Sequence, residues 1–168
     1  MSITLEEFSF GDSRKFLTKF QLVEKSFGSD WYDAEDENAT YIWIIENMDN
    51  PIGFLSYKLF ILPDQKDFVY IVKIYVLKAY RGTTPILIEG ERVSETLLRE
   101  MERKGFDILT LESACDALDQ RYRELGFEYV EDLSRIFGRV LGTSEKIYYK
   151  RIKIEQEMID ERLDTDVK

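Results

Sequence analysis

The chain has 168 residues, with 33 Asp and Glu against 23 Lys and Arg, so its net charge is −10. It has no histidine and a single cysteine, Cys115, which excludes catalysis by an imidazole base, an intrachain disulfide framework and the common zinc sites. The strong negative charge argues against nonspecific binding to nucleic acid or to anionic membranes.

The N-terminal part of the chain predicts a strand followed by a helix. Residues 2–10 alternate loosely, as a strand does, and residues up to about 27 place apolar side chains at helical spacing. We expect Asp12 or Ser13 to cap this helix and Gly28 to stop it. The apolar positions of the helix are Phe16, Leu17, Phe20, Val23 and Phe27.

Three strands are predicted next, after an acidic loop. Residues 30–37, which read DWYDAEDE, contain five acids, two aromatic residues and no base. Residues 40–46 and 52–62 are rich in β-branched and aromatic residues and flank a polar turn, which predicts a hairpin. Residues 68–77 are apolar on both faces, which is typical of a central strand.

The second half of the chain alternates helices and strands. We predict a loop over 80–85, a helix ending at Lys104 before Gly105, a strand over 107–112, a helix over 116–125 closed by Gly126, and strands over 127–137 and 145–154. The helix ending at Lys104 carries an apolar stripe of Val93, Leu97, Leu98 and Met101.

This order of elements predicts an α/β sandwich with one mixed, mostly antiparallel central sheet flanked by helices. We expect one domain over residues 1–152. Residues 153–168 are polar and acidic and predict a tail or a frayed helix.

Two segments of this chain resemble motifs of the GNAT superfamily of acyl-CoA-dependent N-acetyltransferases. In that family a strand ending in Val leads through Arg-Gly-x-Gly-x-Gly/Ala into a helix, and here Val76 is followed by Leu-Lys-Ala-Tyr-Arg81-Gly82. The family also has an Ala followed by Tyr-x-x-Leu-Gly-Phe, which here is Ala117 and then Tyr122 to Phe127. Because the two motifs occur in the right order, the resemblance implies a GNAT-like fold over most of the chain.

The resemblance implies acetyl-CoA as co-substrate, with no metal. A strand that turns tightly into a helix presents unpaired N–H groups, which bind phosphate without side-chain charge. In the family this loop holds the pyrophosphate, the preceding strand pairs with the pantetheine arm, and an Asn seven residues before the Tyr contacts the cofactor. The matching positions here are Ile74, Tyr75, Val76, Arg81, Gly82, Thr83, Thr84, Gly90 and Cys115.

The loop after Arg81 departs from the family pattern, since Thr84 and Ile86 stand where the next two glycines are expected. In one reading Thr84 caps a helix that starts at Pro85 and runs for about 20 residues with Gly90 inside it. In the other, the loop is about four residues longer and Gly90 takes the place of the family's last loop glycine.

Tyr122 is the candidate catalytic acid. In many relatives the matching Tyr lies near the cofactor sulfur and protonates the leaving thiolate, a role that suits a phenol with a pKa near 10. The alternative is a packing aromatic beside Phe127.

Glu112 is the candidate general base, because it alternates with Thr110 onto one face of its predicted strand. A solvated strand end is the other interpretation of Glu112, and water could also relay the proton. Cys115 could carry an acyl group, but without histidine a buried small hydrophobe is the simpler interpretation.

The acidic loop is the candidate acceptor site. In the family, the segment between the first helix and the second strand forms one wall of the acceptor site. Acidic side chains and the faces of aromatic rings both attract an ammonium group. The residues are Trp31, Tyr32, Asp33 and Glu35. A solvated charged loop is the alternative.

We therefore expect an enzyme, an N-acetyltransferase that moves an acetyl group from acetyl-CoA to a primary amine of a small cationic molecule or a peptide. The alternative is a GNAT-like binding or regulatory module without turnover. No nucleic-acid or membrane partner is expected, and a homodimer is left open. With no apolar run near the roughly 20 residues of a membrane span and no signal peptide, the cytoplasm is the expected location.

Overall fold

The structure, a computed structural model, describes residues 2–24, 36–81, 87–88, 90–113 and 115–152. The elements in chain order are β1 (Ile3–Ser9), α1 (Phe10–Val23), β2 (Thr40–Glu46), β3 (Asn50–Ile61), β4 (Asp67–Val76), a 3-10 turn (Lys78–Tyr80), β5 (Leu87–Ile88), β6 (Glu91–Arg92), α2 (Val93–Arg103), β7 (Ile108–Ser113), α3 (Asp116–Glu124), α4 (Glu131–Leu141) and β8 (Lys146–Arg151).

Six strands form one mixed sheet in the order β1-β2-β3-β4-β7-β8. The pairs β1-β2, β2-β3 and β7-β8 are antiparallel, and β5 pairs with β6 in a separate small hairpin. The predicted α/β class, the β2-β3 hairpin and the central position of β4 are therefore confirmed.

The chain divides into two compact units. The first comprises Met1–Lys58 and Ile71–Glu100, and the second comprises Leu59–Tyr70 and Met101–Lys168. Strands β3 and β4 each contribute residues to both units. The organisation into one domain over 1–152 with a tail stays a prediction, since residues 153–168 lie outside the described ones.

An aromatic cluster forms the core of the first unit. Trp43 on β2 is fully buried, and its ring centroid lies 5.4 Å from that of Phe20 on α1 and 4.8 Å from that of Phe54 on β3. Trp43 Nε1 donates a hydrogen bond to the buried Ser13 Oγ over 2.8 Å. Because the Trp43 ring is buried and its N–H group has a hydrogen-bond acceptor on α1, this residue fixes α1 against the strands.

Helix α1 begins earlier than predicted. Its N-cap is Ser9, whose Oγ accepts a hydrogen bond from the Asp12 N–H over 3.2 Å, so neither Asp12 nor Ser13 is the cap. The helix ends at Val23, and Val23 is 63% exposed rather than part of the buried face. The predicted end at Phe27 and stop at Gly28 fall outside the described residues.

Helix α2 starts at Val93, which rules out a helix from Pro85 with Gly90 inside it. Leu87–Ile88 and Glu91–Arg92 instead pair as a small hairpin, and Gly90 lies in its turn with φ +83°. The helix that starts at Pro85 is therefore wrong, while the role of Gly90 as the family's last loop glycine stays a prediction. The predicted apolar stripe is confirmed, since its members are all buried: Val93, Leu97, Leu98 and Met101.

The predicted strand over 127–137 is wrong, because most of it belongs to helix α4. Only Glu128 pairs in β fashion, through an isolated bridge to Tyr149. The aromatic and β-branched residues at 127–130 favour a strand locally. The residues that follow have helical spacing instead, and they pack in the core of the second unit: Leu133, Phe137, Val140 and Leu141.

No helix among the described residues is long and apolar enough to cross a membrane. Within the same residues, no three His, Cys, Asp or Glu side chains come together in a group that could hold a metal ion.

Candidate active site

The Glu112 side chain is held by two hydroxyl groups. Tyr70 OH on β4 donates a hydrogen bond to Glu112 Oε2 over 3.1 Å, and Thr143 Oγ1, in the loop between α4 and β8, donates to Glu112 Oε1 over 3.2 Å. Glu112 is half-buried. A carboxylate offers about four lone-pair positions, so two neutral donors orient this side chain and leave room for a further proton donor.

The alternation predicted for β7 is consistent with this arrangement. Thr110 is fully buried, and its Oγ1 donates a hydrogen bond to the Val69 carbonyl oxygen over 2.8 Å. Glu112, two residues further along, lies beside Tyr70 of the same neighbouring strand. Glu112 is therefore not a free, solvated strand end.

Tyr122 lies on α3 and is packed among aromatic rings. Its ring centroid is 6.0 Å from that of the buried Tyr148, in an edge-to-face arrangement, and 6.3 Å from that of Phe127. Burial raises the pKa of the Tyr122 hydroxyl, and electrostatic interactions with its neighbours, including Glu112 and Asp119, raise it further. The hydroxyl therefore keeps its proton throughout the neutral range.

Glu112 and Tyr122 lie on opposite faces of the sheet. Glu112 is directly opposite Ile147 in the β7-β8 register, and such partners share a face. Ile147 packs with Phe137 of α4. The next residue, Tyr148, points to the other face, and its ring contacts Tyr122. A carboxylate and a protonated phenol thus flank β7 from two sides.

Cys115 is exposed at the N-cap position of α3, so the interpretation as a buried small hydrophobe is wrong. The buried Asp119 shapes this turn, because its carboxylate accepts hydrogen bonds from Ser113 Oγ and from Lys146 Nζ. The hydrogen bond from Ser113 lowers the pKa of Asp119, and Lys146 lowers it further. Loop geometry, rather than core packing, accounts for Cys115.

The predicted pantetheine strand lies at the end of β4, in the first unit. Tyr75 and Val76 are buried and Ile74 is half-buried. Glu24 holds this strand end, since its carboxylate accepts hydrogen bonds from Tyr75 OH over 3.1 Å and from the Lys78 N–H over 2.5 Å. The side chains of Tyr75 and Val76 are therefore packed inside and are not presented to a ligand.

Of the residues predicted to bind the phosphates, the structure describes Arg81 and Gly90. The Arg81 guanidinium carbon lies 5.2 Å from the centre of the Tyr75 ring, and Arg81 is otherwise exposed. Gly90 is exposed in its hairpin turn. Gly82, Thr83 and Thr84 lie outside the described residues.

The acidic loop is only partly described. Asp36 Oδ2 forms an ion pair with Lys58 Nζ over 2.9 Å, and the Asp36 N–H donates to Tyr41 OH over 3.0 Å. This acid is therefore already paired within the protein. The predicted acceptor residues all lie outside the described ones: Trp31, Tyr32, Asp33 and Glu35.

Three hydrogen-bonding residues at these positions were not predicted from the sequence. Tyr70 and Thr143 donate to Glu112, and Glu24 accepts from Tyr75 and Lys78. Tyr70 occupies an ordinary strand position, and Glu24 is one of many acids. Thr143 directly follows the Gly142 that ends α4, so it could have been found only if that helix had been predicted.

Residues 5–85 match the acetyltransferase (GNAT) family. No curated protein matches the chain. An acetyltransferase of the GNAT family from Staphylococcus aureus Mu50 superposes with a TM-score of 0.54 at 17% identity, covering 90% of this chain and 100% of that one.

Two further solved structures have the same fold. An integron cassette protein from the mobile metagenome of Vibrio cholerae has a TM-score of 0.55 at 18% identity, over 79% of this chain and 89% of its own. An aminoglycoside acetyltransferase from an uncultured soil metagenomic sample, in complex with sisomicin, has a TM-score of 0.51 at 14% identity, over 73% and 86%. The family match over residues 5–85 and these superpositions show that the chain has a GNAT-like fold over most of its length.

Proposed function

We propose that the protein is an acetyl-CoA-dependent N-acetyltransferase that acts on a primary amine by direct attack. The observation that carries the proposal is the Glu112 carboxylate, which Tyr70 OH and Thr143 Oγ1 hold in place on the strand that directly precedes the helix of Tyr122. Direct transfer needs a proton acceptor where the amine enters and a proton donor where the thiolate leaves. Glu112 supplies the carboxylate, and Tyr122 the protonated phenol, for these two roles.

In the proposed reaction the amine nitrogen forms a bond to the thioester carbonyl carbon while the carbon–sulfur bond breaks. Glu112 takes a proton from the amine, directly or through one water molecule, while Tyr70 and Thr143 hold its carboxylate in place. Tyr122 gives its proton to the departing thiolate sulfur. Its raised pKa supports this role, because the hydroxyl stays protonated until a strong base forms beside it.

The chain's own residues fit acetyl-CoA in part. In the first unit, the backbone from Ile74 to Val76 would pair with the pantetheine arm, and Arg81 with the loop after it would meet the phosphates. Cys115, in the second unit, stands at the family's Asn position; it is exposed but has no amide side chain to offer a cofactor.

The binding of acetyl-CoA is tested by thermal melting. A ligand that binds only the native state raises the free energy of unfolding, by about 2.7 kcal/mol at a concentration 100-fold above its Kd. The melting temperature therefore rises as well. We expect a clear rise at about 1 mM acetyl-CoA, the upper end of ordinary KM values. ATP serves as the control nucleotide. No rise would contradict the proposal, and a rise without CoA release over a panel of amines would support the binding module instead.

We propose a cationic amine as the acceptor, either a small molecule or a basic peptide. The acids of the loop over 30–37 support this, as does the aminoglycoside acetyltransferase with the same fold.

Replacing Asp33 and Glu35 together by Asn and Gln should raise the KM for the amine several-fold, because two attracting charges are lost while kcat depends on other groups. Steady-state kinetics at low salt measures this effect. Asp36→Asn is the matched control, since Asp36 is paired with Lys58. An unchanged kcat/KM in the double variant would contradict the assignment of the loop.

A further inference from the structure

The loop that follows α4 brings a hydroxyl group to Glu112. Thr143 Oγ1 donates to Glu112 Oε1 over 3.2 Å, while Tyr70 OH donates to the other oxygen over 3.1 Å. Each carboxylate oxygen thus has one donor, and the two donors come from different elements of the second unit. Two anchors of this kind define the plane of the carboxylate, which a single hydrogen bond does not.

The Thr143 hydroxyl has a defined direction. Its oxygen accepts a hydrogen bond from the Glu145 N–H over 3.1 Å. A hydroxyl has one proton to donate, and with the Glu145 N–H on its lone pair that proton is directed to Glu112. The hydroxyl therefore presents a hydrogen-bond donor, rather than an acceptor, to the carboxylate.

Two glycines build the turn that holds Thr143. Gly142 ends α4 in the left-handed region with φ 75°, and both the Gly142 and Thr143 N–H groups donate to the Gly138 carbonyl oxygen, over 2.8 and 3.0 Å. The Thr143 bond is the 6→1 bond of a Schellman motif, and the Gly142 bond is the 5→1 bond of the simpler αL helix end. A Cβ atom on Gly138 would lie only 2.7 Å from the Thr143 carbonyl oxygen, so any other residue there would displace the turn.

We propose that Thr143 is a positioning residue for catalysis, which orients the Glu112 carboxylate for proton removal from the acceptor amine. This inference rests on the proposed role of Glu112 as the base. A general base works only within hydrogen-bond reach of the proton that it takes, and small displacements of catalytic groups are costly. Helix α4 and its C-terminal glycines would then serve the reaction by placing one hydroxyl group.

The test compares variants that differ only in the hydroxyl. Thr143→Val keeps the shape of the side chain, and we expect kcat to fall by about 10-fold or more, the worth of one hydrogen bond to a charged group, with an unchanged KM for acetyl-CoA. Thr143→Ser should restore kcat to within about twofold of the wild type, because the donor is back. Gly138→Ala should lower kcat as Thr143→Val does, since it displaces the turn. Ser144→Ala, at the exposed neighbour, is the control.

Several outcomes would overturn the inference. Equal losses in Thr143→Val and Thr143→Ser would mean that the hydroxyl is not what matters. A fully active Thr143→Val alongside an inactive Glu112→Gln would refute the positioning role and leave the base in place. A fully active Glu112→Gln would refute the base itself. Thermal melting checks that each variant is folded, and Thr143→Ala replaces Thr143→Val if the latter does not fold.

Discussion

Replacing Glu112 by Gln should lower kcat by about 100-fold or more, because the amide has the same shape but cannot take a proton. One of the two hydroxyl groups, Tyr70 OH or Thr143 Oγ1, can still donate to the amide oxygen, while the other faces the amide NH2, so thermal melting must show that the variant is folded. The KM for acetyl-CoA should stay near the wild-type value, since Glu112 acts on the amine. Release of CoA under steady-state conditions measures both quantities.

Glu128→Gln is the matched control for this variant. Glu128 also accepts a hydrogen bond from a tyrosine, Tyr149 OH, over 3.2 Å, but it is exposed and has no proposed part in the reaction. Its kcat should equal that of the wild type. A Glu112→Gln enzyme within about twofold of the wild type would mean that water or another group removes the amine proton.

Replacing Tyr122 by Phe should lower kcat by about ten-fold or more, since the thiolate would leave without a proton donor. The ring contacts with Phe127 and Tyr148 are kept, so the melting temperature should change little. Because burial raises the pKa of Tyr122, the proton is lost only above the ordinary tyrosine range near pH 10. The wild-type rate should therefore show no decline from this group between pH 7 and about pH 10.

The control for Tyr122 is Tyr129→Phe. The Tyr129 ring also packs on Tyr148, with 5.5 Å between the centroids, so the variant removes a hydroxyl from the same aromatic group. We expect full activity. Equal rates for Tyr122→Phe and the wild type would assign Tyr122 to packing and leave the thiolate to be protonated by solvent.

The strands of the first unit were predictable because their signals are local. Strand β2 was predicted over residues 40–46 and occupies Thr40–Glu46. The apolar run of β4 also indicated its place between other strands, since only a strand covered on both faces can be apolar throughout.

Two local signals were overridden by pairing and packing. Thr84-Pro85 is a good helix start by composition, yet Leu87–Ile88 pair with Glu91–Arg92 and α2 begins only at Val93. The residues at 127–130 favour a strand, but the chain pairs there only at Glu128 and then buries Phe137 from a helix.

For the candidate site, the sequence by itself determined which residue types were available. Because the chain has no histidine, any proton chemistry must use other groups, and the candidates Glu112 and Tyr122 came from short-range features, a strand alternation and a Tyr-x-x-Leu-Gly-Phe motif.

Only the tertiary structure decided what surrounds Glu112. Tyr70 is 42 residues away along the chain and Thr143 is 31 residues away. Their contacts depend on the pairing of β4 with β7 and on the end of helix α4. The spacing of residues along the chain indicates which side chains share a face of one helix or strand. It does not indicate which distant elements will bring their hydroxyl groups to a given carboxylate.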